Sequence, residues 1–134
     1  LLPGELIREE GTSFHYMPAE GVLQTDARLN ERLGRVASEL GVELVRGKHW
    51  TTDAIHRTTL NKVGLLCQQG VNSVDMELSA LAAVAHYRGC ELSAVLVVTD
   101  VASRSHTWDG TASPQFQEGV RQAAQIAARL FPFG

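Results

Sequence analysis

VNSVDMELSALAAVAHYRGCELSAVLVVTD, residues 71–100, holds three elements in a row. Val71 to Asp75 is short and rich in β-branched residues, which suits a strand. From Glu77 to His86 the chain turns to Ala and Leu, good helix formers, and Gly89 stands where such a helix stops. Residues 92–99 then carry Ala94-Val95-Leu96-Val97-Val98, apolar without interruption. An unbroken run of this kind predicts a central strand covered on both faces, the pattern of parallel sheets. Strand, helix and strand make a βαβ unit, whose crossover is expected to be right-handed. The expected class is therefore α/β with parallel strands. In such sheets ligands collect beyond the carboxyl ends of strands. Asp75-Met76-Glu77 follows one predicted strand and Asp100 the next, so consecutive parallel strands would place both acidic groups on one rim.

The flanking segments fit around this unit. Residues 6–10 read weakly as a strand, 11–13 as a turn and 14–17 as a further extended piece before Pro18. Thr25 or Asp26 can cap a helix whose apolar positions, Leu29, Leu33, Val36 and Leu40, are spaced by three and four. Gly41 ends it. Residues 42–50 read as a strand loosened at Gly47, running into a polar loop at Thr51-Thr52-Asp53. Thr59 opens a short helix with Val63, Leu65 and Leu66 that closes at Gly70. Downstream, a Gly/Ser/Thr-rich loop spans 101–113, and Ser113-Pro114 opens a helix by the cap-plus-proline rule. There is no internal repeat.

The chain has 134 residues, a formal net charge of −3, 44% hydrophobic and 20% charged residues. That length suits a single domain over 1–134. A slightly acidic chain has no broad attraction for nucleic acid or an anionic membrane, so neither is expected as a partner. No run of about 20 apolar residues is present to span a bilayer, and Leu1-Leu2-Pro3-Gly4-Glu5 does not read as a signal peptide. Cys67 and Cys90 form no CxxC pair; reduced thiols in a cytoplasmic protein are expected. The absence of an initiator Met points to a chain cut from something longer.

Two carboxylates carry the chemistry. Glu77 lies in the first turn of its predicted helix, where the helix dipole favours negative charge by about 0.3–1 kcal/mol. An ionised carboxylate only accepts hydrogen bonds and suits the paired hydroxyls of a vicinal diol. Met76 offers a polarizable surface for a sugar face. Dipole complementarity alone, with Met76 as core filling, accounts for the same residues. Asp100 can protonate or hydrogen-bond a departing heterocyclic base; capping the loop behind it is the other reading. Asp53 reads as an organiser of its own loop. Trp50 and Ile55 offer apolar surface either to a flat base or to the core. His15, His49, His56, His86 and His106 have no metal-ligand spacing, and no metal is expected. The glycines form neither a GxGxxG nor a P-loop pattern.

Ser73-Val74-Asp75-Met76-Glu77-Leu78-Ser79-Ala80 resembles the V-x-M-E-x-x-A signature of the nucleoside phosphorylase family, which includes purine nucleoside phosphorylase, uridine phosphorylase and the methylthioadenosine nucleosidases. Three further segments are similar in order and spacing. Residues 8–13 match a mid-chain strand and turn, 47–54 the G-x-x-x-S/T-S/T-D segment, and 97–100 a strand ending in S/T-D. The resemblance implies a three-layer α/β/α fold around a mixed, largely parallel sheet, with this chain as the C-terminal portion of a phosphorylase-like domain. It implies a pentosyltransferase that reversibly phosphorolyses a nucleoside to free base and ribose 1-phosphate. A hydrolytic nucleosidase, or a truncated non-catalytic relative that binds nucleosides or oligomerises, are the alternatives. By this likeness Met76 packs on the ribose, Glu77 binds its hydroxyls, Asp75 lies near the sugar and Asp100 acts at purine N7. Ile55 takes the place of a base-stacking aromatic, and Arg104 is the candidate partner of Asp100. Uridine phosphorylases carry a Gln-x-Arg pair where this chain has Thr59-Leu60-Asn61, which counts against uracil, and the presence of Asp100 leans toward purines. No cofactor is implied; inorganic phosphate is the co-substrate, and its site belongs to the family's N-terminal half. A homo-oligomer is expected.

Overall fold

In the computed structural model the chain is described over residues 1–102 and 107–131. Its main sheet has strands β1 (Leu2–Glu9), β2 (Leu23–Gln24), β3 (Arg46–Thr52) and β4 (Val71–Asp75) in the order β2-β1-β3-β4. β1 runs parallel to β3 and β3 parallel to β4, while β2 is antiparallel to β1. The sheet is thus mixed and largely parallel. Helices α1 (Ala27–Glu39) and α4 (Pro114–Leu130) pack on one face, and α3 (Leu78–Arg88) on the other. The fourth helix, α2 (Leu60–Gln68), connects β3 to β4.

Local chemistry sets the helix limits as the sequence predicts. Asp26, Thr59 and Ser113 each accept a bond from a first-turn N–H, satisfying donors that the helix leaves free. Gly89 ends α3 in the left-handed region at φ 67°. Gly47 has a different reason to be glycine. It lies inside β3, and a Cβ there would stand 2.2 Å from Asn72 Nδ2, whose amide crosses it to donate to the Arg46 carbonyl.

β1 serves two cores. Leu2 packs with Leu29, Leu33, Ala37, Ile126 and Leu130, whereas Leu6 packs with Leu23, Leu78, Ala82 and Ala83. Residues four apart in an unbroken strand share a face. Here the four residues of β1 from Pro3 to Leu6 run against three of β3, Gly47 to His49, and the extra residue turns the rest of the strand over.

Three expectations need correction. Residues 14–17 are not extended; Ser13–His15 is a 3-10 turn, tied down when Ser13 N–H donates to Glu10. β3 begins at Arg46 rather than 42, because Val42 folds back on α1 through a bond from its N–H to the Ala37 carbonyl. Thr51 and Thr52 belong to that strand and are fully buried.

The largest correction concerns residues 92–99, which form no strand of either sheet. The expected burial on both faces survives: Leu92, Ala94 and Leu96 pack toward α3, and Val95 toward α1 and α4. Its backbone bonds to other segments are an exchange of both bonds between Leu96 and Leu1, with Leu92 accepting from Asp26 N–H and Thr99 from Gly110 N–H. Strand formation needs a ladder partner along its length, and one paired residue does not supply it. The segment leads into a separate antiparallel ribbon, β5 (Asp100–Ala102) with β6 (Thr107–Asp109). Asp100 therefore does not end a strand consecutive with β4.

Candidate active site

The carboxyl ends of the parallel strands β1, β3 and β4 bring together Glu9-Glu10, Thr51-Thr52-Asp53 and Asp75-Met76-Glu77. Strand alternation sorts them by face. Glu10, His49, Thr51, Ser73 and Asp75 point toward α3; Glu9 and Trp50 point toward α2, where Trp50 Nε1 donates to Glu9 at 2.8 Å and Lys62 pairs with Glu9.

The α3 side is a continuous polar network. Glu10 is buried and accepts from Ser79 Oγ at 2.7 Å and from Ser13 N–H at 2.9 Å. Ser79 N–H donates to Thr51 Oγ1 at 3.0 Å, and Thr51 Oγ1 donates to Asp75 Oδ1 at 2.8 Å. The Asp75 carboxylate also accepts from the Glu77 and Leu78 N–H groups at 3.0–3.2 Å, which fixes the first turn of α3. His49, fully buried, has Nδ1 2.8 Å from Ser73 Oγ and Nε2 2.8 Å from Asp75 Oδ1. The second contact is an ion-pair distance that lies off the line of a hydrogen bond.

Burial alone would raise both carboxyls. The contacts outweigh it: bonds from Ser13 and Ser79 hold Glu10 below its ordinary value, and His49, Thr51 and Leu78 do the same for Asp75.

The residues singled out in the sequence take different places. Met76 and Glu77 sit together on the rim between β4 and α3, both exposed, with Glu77 Oε2 accepting from Met76 N–H at 3.1 Å. Asp75 is beside them but turned inward, bracing the helix. Ile55 is 44% exposed in a 3-10 turn just after β3. Asp53 ties two loops, accepting from Gly11 N–H at 3.0 Å. Asp100 is exposed at the start of the ribbon, its carboxylate accepting from Thr99 Oγ1 at 2.8 Å. Arg104 lies outside the described residues.

Glu10, His49, Thr51 and Ser79 are site-supporting residues that the sequence reading did not select. Parity within each strand puts Thr51 with His49 and Asp75 with Ser73, but only the register between strands joins the sets and brings Glu10 and Ser79 to them. Among the described residues no set of three His, Cys, Asp or Glu side chains could hold a metal ion. Nor is any helix there long and apolar enough to cross a membrane. An open groove of about 690 Å³, lined by Glu31, Arg35, Glu43 and Arg46, lies at the opposite end of β3. At about 3.3 Å per residue it is roughly 20 Å from the rim and has no part in it.

The family model described as the phosphorylase superfamily matches residues 1–132. No curated protein matches the chain. Among solved structures, the purine nucleoside phosphorylase of Toxoplasma gondii, in complex with immucillin-H, superposes with a TM-score of 0.82 at 18% identity, covering 96% of this chain and 53% of its own. The P. knowlesi homolog of P. falciparum PNP gives 0.72 at 16% identity, covering 96% and 51%. The AMP nucleosidase of Bacteroides thetaiotaomicron gives 0.68 at 21%, again covering 96% and 51%. At these identities the likeness is one of fold. The chain spans about half the length of each structure.

Proposed function

The chain belongs to the phosphorylase superfamily, and from that premise we propose that its rim is the sugar-and-base side of a nucleoside site in a pentosyltransferase. The reaction is cleavage of the N-glycosidic bond, with inorganic phosphate as co-substrate and base and ribose 1-phosphate as products. The observation that carries this reading is the exposed Met76–Glu77 pair between the carboxyl end of β4 and the start of α3, with the junction braced from below by Asp75. A carboxylate has acceptor capacity for both hydroxyls of a ribose diol beyond the single bond it takes from Met76 N–H. Held there, it would favour the positive charge that develops on the sugar as the bond breaks. Asp100 is assigned to the base, at purine N7, with purines preferred to uracil because Thr59-Leu60-Asn61 offers no Gln-x-Arg pair. The phosphate is assigned to residues outside this chain, and the assembly is a homo-oligomer.

The AMP nucleosidase among the similar structures supports a second reading, in which water replaces phosphate. Base release from inosine by the full-length protein, with and without phosphate, separates the two. Phosphorolysis requires that release depend on phosphate; equal release without it establishes hydrolysis. Glu77→Ala should lower kcat/KM about 100-fold, the scale of two charge-assisted hydrogen bonds. A loss under threefold would remove Glu77 from the sugar site.

A further inference from the structure

We propose that His49 is a positioning residue for Glu77, acting through Asp75. This rests on the reading of Met76–Glu77 as the sugar-binding pair.

A fully buried imidazole in a strand is costly without polar partners; His49 has a hydrogen bond between Nδ1 and Ser73 Oγ, and its Nε2 stands 2.8 Å from Asp75 Oδ1 in a close polar contact off the hydrogen-bond line. Asp75 is the junction. On its strand side it meets His49 Nε2 and Thr51 Oγ1; on its helix side it accepts from Glu77 and Leu78 N–H. Glu77 itself gives α3 no side-chain cap. The geometry of the 76–78 turn is therefore set by the Asp75 carboxylate, and that carboxylate is aimed by His49 and Thr51. Glu77 is exposed and bonded to its own neighbour's backbone, so its direction follows the turn. With the His49 contact removed, Asp75, whose side chain is 21% exposed, is free to rotate toward solvent and release the turn. His49 never touches substrate in this arrangement. It determines how well the diol is held.

Two near-isosteric variants of the full-length protein isolate the contact. In His49→Gln the terminal amide can stand where Nε2 stands and donate to Asp75; in His49→Asn it stands where Nδ1 stands, toward Ser73, and the Asp75 side is vacated. Calorimetry with inosine should find His49→Gln close to wild type and His49→Asn about tenfold weaker, the scale of coupling between residues in direct contact. For 2′,3′-dideoxyinosine, which lacks the diol, all three proteins should bind alike. Equal losses in Gln and Asn, or parallel losses for both ligands, would show that His49 only packs. Wild-type protein that binds neither ligand would instead bring down the sugar-site reading. The positioning claim is then decided by amide hydrogen exchange at Glu77 and Leu78, expected to be faster in His49→Asn than in His49→Gln; equal rates overturn it.

Discussion

Strand β4 and the segment 92–99 make opposite use of their sequences. Val71–Asp75 is short and half polar, yet it is a strand, because β3 offers it a parallel ladder from Lys48 to Thr51. Residues 92–99 are far more apolar and alternate between the two helical layers as a central strand should, yet they are not one. Hydrophobic pattern states which layer a side chain enters; a neighbouring backbone decides whether a ladder forms. The same contrast separates the acids that follow them. Asp75 is enclosed by His49, Thr51 and two backbone N–H groups, while Asp100 is exposed on a two-stranded ribbon. A tied rim and a loosely tied flank therefore meet in one small chain.

The contrast breaks if the rim turns out to be soft. Glu10→Ala leaves the Ser79 hydroxyl and the Ser13 N–H unsatisfied in a buried place. It should cost about 3 kcal/mol in urea denaturation, and a cost under about 1 would show that the network matters little. The same group shapes the acid limb. A carboxyl held lower in the folded chain than in the unfolded one adds stability above its unfolded pKa, and that stability is lost as pH falls through the folded value. Glu10→Gln should accordingly flatten the decline of Tm below about pH 4.5, its ordinary value. Thr51→Val keeps the shape but removes the link between Ser79 N–H and Asp75; about 2 kcal/mol is expected from the same titration.

On the flank the numbers should shrink. Leu96→Ala is expected to cost about 1 kcal/mol, against about 3 for Leu78→Ala, because Leu96 is only partly enclosed and Leu78 is buried. Equal costs would mean that residues 92–99 are as firmly built in as a strand. Asp100→Asn should change stability by no more than about 0.5 kcal/mol by thermal melting. A larger loss would assign Asp100 a structural task.

Much of this was legible in the chain itself. Asp26, Thr59 and Ser113 announced their helices, and Gly41, Gly70 and Gly89 their ends, because capping is local chemistry. Met76 and Glu77 were placed correctly after β4 for the same reason: a strand-to-helix junction is short and self-contained. The network beneath them was not legible. Glu10 and Ser79 meet across 69 positions, and nothing local to either names the other. Residues 92–99 misled because an unbroken apolar run reports burial and is silent about pairing.

The extra residue between Pro3 and Leu6 has a consequence beyond the two leucines it separates. Everything downstream in β1 inherits its phase, including which of two adjacent acids greets which helix. As built, Glu10 reaches Ser79 of α3 and Glu9 reaches Lys62 of α2. Were the same residues paired with β3 without that irregular step, the count would shift by one, offering Glu9 to the serine and turning Glu10 toward the lysine. One irregular backbone step near the amino end thus acts as the indexing notch by which the far end of the strand, some 15–20 Å on, addresses the site.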